Sequence, residues 1–151
     1  MDRAGALIEA VLDTRSRLID FARGCSDEQW AACPLGEADP RPVAVIVDHV
    51  ADAYEYLARW IGALAAGQET EITPEVIDGL NARHAAQAAG PSCARVCAHL
   101  TTSGDSLTAL IASLADDQLA DGARSARLAD IAARHATAHR EELEAALAAR
   151  S

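Results

Sequence analysis

The sequence predicts an all-α protein built as a four-helix bundle, and three observations carry that expectation. Half of the 151 residues are apolar but 3% are aromatic, so the core has to be made of Ala, Leu, Val and Ile. Alanine is the strongest helix former, and β-branched residues are sparse. Four long stretches repeat apolar residues at steps of three and four, with capping or helix-breaking residues separating them. At this length the chain fits one domain, residues 1–151, with room for a full core.

Residues 2–23 read as helix one, with Ala4, Leu7, Ile8, Val11, Leu12, Leu18, Ile19 and Ala22 as the apolar stripe and Gly24 as the C′ residue. Ser26 with Gln29 is a capping-box pattern that starts a short turn holding Trp30. Residues 33–42 contain three prolines and a glycine, so helices one and two are joined by a long irregular connection. Asp39 or Arg41 leads into helix two, with Pro42 near its first turn. That helix runs to about Ala66 and is stopped by Gly67. Its inward face is Val43, Ile46, His49, Val50, Ala53, Leu57, Trp60, Ile61 and Leu64.

Thr73-Pro74-Glu75 caps a shorter extra helix over about 74–88, placed between helices two and three. Gly90-Pro91-Ser92 then opens helix three, which has a weak spot at Ser103-Gly104. Residues 115–124 form a polar connection. Ser125 is the expected N-cap of helix four, whose buried face is Leu128, Ile131, Ala132, His135, His139, Leu143 and Ala146.

Three histidines therefore fall at core positions of two different long helices. A buried imidazole without a partner costs roughly 1–3 kcal/mol, so each needs a reason to be there. His135 and His139 form H-A-T-A-H, the i, i+4 spacing that lets two imidazoles reach one metal ion. A zinc protease of that pattern needs glutamate after the first histidine, and Ala136 stands there instead. His49 supplies the third nitrogen, and three neutral imidazoles leave open positions of the kind a catalytic metal keeps. The metal ligands are expected to be His49, His135 and His139. Three nitrogens suit zinc first, with nickel or iron also fitting.

The remaining polar candidates are expected to be solvated. His99 reads as a boundary residue beside the apolar face of helix three. His84, on the short helix with Asn81, is expected to look toward water. Asp52 and Glu142, one turn beyond His49 and His139, read as ordinary helix charges. Cys25, Cys33, Cys93 and Cys97 are expected to be reduced, with Cys93 and Cys97 as small packing residues one turn apart.

All basic residues are arginine, and the net charge of −10 argues against nucleic acid as a partner. Residues 1–10 carry Asp2, Arg3 and Glu9 where a secretory leader would be apolar. No apolar run approaches the ~20 residues that cross a bilayer. A cytoplasmic protein with no membrane partner is the expectation.

The order of R-P-V-A-V-I-V-D-H-V-A (41–51), I-D-G-L-N-A-R-H-A (77–85) and H-A-T-A-H-R-E-E-L (135–143) resembles the DinB/YfiT-like superfamily of metal-dependent four-helix-bundle proteins, over nearly the whole chain. The resemblance implies a divalent metal on His49, His135 and His139. Many members carry a tryptophan before helix two, where this chain has Pro40-Arg41-Pro42, and differ after the last ligand, where it has Arg140, Glu141 and Glu142. Relatives that use mycothiol, bacillithiol or glutathione imply a thiol S-transferase or isomerase acting on a small-molecule substrate, with a low-molecular-weight thiol as second cofactor. A homodimer is also implied. The alternatives are a non-catalytic metal- or ligand-binding bundle and a metal-dependent hydrolase.

Overall fold

The computed structural model describes residues 2–150. Among these residues there are six α-helices, two short 3-10 turns and no strand. Helix one is α1 (Arg3–Gly24), which begins where the Asp2 carboxylate accepts the Gly5 N–H at 2.7 Å. It buries Leu7, Val11, Leu18 and Ala22, one stripe of its surface. Gly24 is not a C′ residue. It is the last helical residue, and the chain leaves through Cys25 in an extended conformation that needs no left-handed glycine.

The capping box at Ser26 and Gln29 forms as expected and starts α2 (Asp27–Ala31). Trp30 on this turn donates its indole N–H to the Pro91 carbonyl at 2.9 Å. The first connection is thereby tied to the loop before helix three. Helix two is α3 (Val43–Ala65), with Pro42 at its N-cap. Its end is a Schellman turn: Gly67 takes φ +75°, and the Gln68 and Gly67 N–H groups donate to the Ala63 and Leu64 carbonyls. Val43 to Val47 are all buried, so the start of α3 is apolar all round and serves as the centre of the core.

The extra helix is α4 (Pro74–Gln87), capped by the Thr73 hydroxyl and lying on the surface with no residue fully buried. Helix three is α5 (Cys93–Ser113), capped by Ser92. It runs unbroken through Ser103-Gly104 because that spot has a packing role. A Cβ on Gly104 would meet Arg15 Nη1 at 2.7 Å and its Cδ at 2.8 Å. The Arg15 guanidinium crosses there to reach the Thr101 carbonyl at 2.9 Å and Asp105 at 2.8 Å.

Helix four is α6 (Arg124–Ala149). Two expectations about it need correcting. Ala123, not Ser125, is the N-cap, and Ser125 is a buried residue inside the first turn. Ile131 is 43% exposed. At about 100° per residue, the buried arc is centred on Ser125, Ala136 and Leu143, with the histidines at its edge and Ile131 beyond them. The facing alanines, Ala129, Ala132 and Ala136, are fully buried and let α6 sit close to its neighbours. In the assembled core α3 packs on α5 and α6, and α1 packs on the same two helices, while α2 and α4 flank α3. Among the described residues no helix is long and apolar enough to cross a membrane.

Candidate metal centre

Two helices build the centre. His49 projects from the buried first half of α3 and is 2% exposed, while His135 and His139 project from the edge of the buried arc of α6. The three rings stand nearly perpendicular to one another. Their centroids are 4.9 Å apart for His49–His135, 5.3 Å for His49–His139 and 4.5 Å for His135–His139. One nitrogen of each lies within 4.8 Å of the other two. His49 Nε2 and His135 Nε2 are 2.9 Å apart. Nitrogens bound to one ion at about 2.0–2.1 Å, with angles between octahedral and tetrahedral, sit roughly 2.9–3.4 Å from each other. The His49–His135 pair already has that spacing, and the three nitrogens together are placed where they could hold one ion.

Electrostatics favour the ligand form of each ring. Burial, reinforced by the neighbouring imidazoles and by Arg41, pushes His49 down to about 2. Burial likewise takes His135 down to about 4 and lowers His139, partly offset by Glu142. Neutral imidazole is the form that donates a lone pair to a metal. The His49 Nδ1 is buried with no partner, and the Glu142 carboxylate lies 3.6 Å from His139 Nδ1, an electrostatic contact too long for a hydrogen bond. Beside the triad, Arg41 is clamped by Asp39 through two hydrogen bonds of 2.8 and 2.7 Å. Its charge is thus held on the centre's flank rather than left to swing in solvent.

His84 and His99 are not solvated, which corrects the expectation for both. They meet on Asp48, a residue the sequence reading did not single out. Burial alone would raise the Asp48 carboxyl. Hydrogen bonds from His84 and His99 and their charge overcome that and hold it well below the usual carboxylate range. Ionised Asp48 can only accept, so His84 Nε2 donates to it at 2.8 Å and His99 Nδ1 at 2.7 Å. His99 Nε2 donates to Glu55 at 2.7 Å. The bond to Asp48, followed by the one to Glu55, raises His99 to about 9 against the opposing effect of burial. The His84 ring lies 6.0 Å from that of His49, and its Nδ1 is buried without a partner, as is Asn81 Oδ1 one turn earlier. Asp52 is half-buried, which raises its carboxyl.

A signal for Asp48 existed in the sequence. Asp48, Asp52 and Glu55 recur at steps of four and three, an acidic stripe on a helix otherwise made for burial. A cavity of about 430 Å³ opens against this cluster, lined by Asp48, His84, Arg95, His99 and the loop that carries Pro91. The family model of the DinB superfamily matches residues 10–148. No curated protein and no solved structure shows a significant match.

Proposed function

This chain belongs to the DinB superfamily, and from that premise we propose that it binds one divalent metal ion through His49, His135 and His139 and activates a thiol for S-transfer or isomerisation. The observation that carries the reading is the convergence of three imidazoles, one buried on α3 and two half-buried on α6, with one nitrogen of each within 4.8 Å of the others. The four long helices are taken to form the superfamily's four-helix bundle. When bound, such an ion keeps its full positive charge among neutral ligands and favours the thiolate form of a thiol near pH 7.

The protein's own groups do the rest. Burial keeps the three ligands unprotonated, and two hydrogen bonds to Asp39 fix the Arg41 guanidinium beside them. Asp48, held by His84 and His99, lines the cavity where a small-molecule substrate would enter. Ala136, fully buried, supplies no base, which favours thiol chemistry over peptide hydrolysis. Zinc is the first expectation for the ion, with nickel and iron as alternatives. A homodimer is part of the same proposal, and sedimentation velocity checks it.

Elemental analysis of tag-free protein tests the site. About one ion per chain is expected, lost in His135→Ala. Less than half an ion, with no uptake on reconstitution, refutes the centre. Thiol conjugation to a generic electrophile, with and without the ion, then tests the activity. Hydrolysis that proceeds without thiol would reassign the chain as a hydrolase, and metal uptake with no thiol or electrophile bound would leave it a binding module.

A further inference from the structure

Cys93 and Cys97 lie away from the histidines. Residues 97 and 99 are about 200° apart around α5, so the face that carries His99 toward α3 turns Cys97 toward α1. There the Cys93 and Cys97 sulfurs are 3.9 Å apart, in contact with no side chain between them. They open on a groove of about 600 Å³ shared with Arg23, Thr101 and Thr102. Two residues four apart on a helix have Cα atoms about 6.2 Å apart, inside the span a disulfide bridges. Their Cβ atoms are about 5–6 Å apart, beyond the ~3.5–4.5 Å it needs. Closure therefore requires the first turn of α5, where Cys93 is the first residue, to shift by about 1–2 Å.

We propose that Cys93 and Cys97 form a dithiol site that reacts with low-molecular-weight disulfides and closes to an intrahelical disulfide. The two cysteines are not equivalent. Cys93 is the first residue of α5 and is half-exposed on the groove, so a small disulfide can reach its sulfur. Cys97 is one turn deeper, 6% exposed, and burial pushes its thiol up, with Cys93 adding to the effect. Cys93 is therefore the attacking sulfur and Cys97 the resolving one.

The chemistry balances without any metal. The Cys93 thiolate attacks one sulfur of RS–SR, forming a mixed disulfide and releasing RS⁻. The Cys97 thiolate then attacks Cys93 Sγ, forming the Cys93–Cys97 bond and releasing a second RS⁻. The protein loses two electrons and two protons. The small disulfide gains both and leaves as two thiols.

Glutathione disulfide added to the reduced full-length chain is the probe. Trypsin cuts after Arg95, between the two cysteines, so the oxidised chain is expected to give peptides 84–95 and 96–124 joined by one bond. Two thiols per chain should disappear. Cys97→Ser should stop at a mixed disulfide on Cys93, formed at least about tenfold faster than on Cys25. Cys93→Ser should leave Cys97 free over the same period. Mapping the wild-type chain needs neither variant to fold. A bond from Cys93 to Cys25, modification confined to exposed Cys33, or equal rates at Cys93 and Cys25 overturns the proposal.

Discussion

Replacing His49 with leucine should stabilise the metal-free protein and abolish its response to metal. His49 is 2% exposed, its Nδ1 has no partner, and its Nε2 meets only the matching atom of His135. A buried polar atom left unpaired costs about 1–3 kcal/mol, and leucine, of similar volume, removes that cost. His135 is less buried and its freed nitrogen can turn to water, so part of the gain is retained. The net expectation is a gain of about 1–2 kcal/mol in the presence of chelator. At a urea slope of roughly 2 kcal/mol per molar, that moves the midpoint up by about 0.5–1 M. With free metal at about a thousandfold its dissociation constant, the wild type gains about 4 kcal/mol and the variant gains nothing. The order of stability should therefore invert between the two conditions. A variant less stable than the metal-free wild type by more than about 1 kcal/mol, or a variant midpoint that rises with metal, would show that His49 is a packing residue and not a ligand.

Three further outcomes follow from contacts elsewhere. His99 is raised to about 9 in the folded state from an ordinary value near 6.5, so its contribution is fully present below about pH 6.5 and disappears as pH rises through 9. Because its side chain is 30% exposed and Glu55 46%, screening leaves on the order of 1–2 kcal/mol. The urea midpoints of wild type and His99→Gln should converge between pH 6 and pH 9.5, and a constant gap would contradict the ion pair. Gly104→Ala should destabilise by about 1 kcal/mol, because displacing Arg15 from the Thr101 carbonyl outweighs the roughly 0.5–1 kcal/mol of helix propensity gained. In an Arg15→Ala background the same change should become stabilising, and an unchanged sign would remove Arg15 as the cause. Leu143→Ala, at a fully buried position of α6, should cost about 2–5 kcal/mol by thermal or urea unfolding while leaving metal stoichiometry at the wild-type level.

Much of the fold was legible because the chain marks its helix ends chemically. The Ser26–Gln29 box, the Thr73-Pro74 start and the Gly67 stop were each read from residue types whose physics is local. Where capping is not carried by a side chain, legibility fails: α6 begins behind Ala123, and Ser125, the nearest capping residue, is buried instead. Periodicity identified the three histidines and their helices, but with 3.6 residues per turn it fixes a stripe only to within a residue or so. His49 is buried as expected, His135 and His139 lie half-buried at the edge of the stripe, and Ile131 falls outside it. Asp48, His84 and His99 were not assembled because their proximity depends on where α4 lies against α3 and α5. That placement is set by tertiary packing across 36 and 51 residues and leaves no local pattern.

The two nitrogens that face each other at 2.9 Å are 86 residues apart in the chain. An ion held between them would act as a removable cross-link closing most of the polypeptide into a loop, with α4 and α5 inside it. Loop-closure arithmetic puts such a constraint at on the order of 4–5 kcal/mol, concentrated on the docking of α6. The last helix of the chain is then the one whose opening the ion suppresses most. Cleavage after Arg134 or Arg140 by a limiting dose of trypsin would read metal occupancy directly, as a lifetime rather than a stoichiometry.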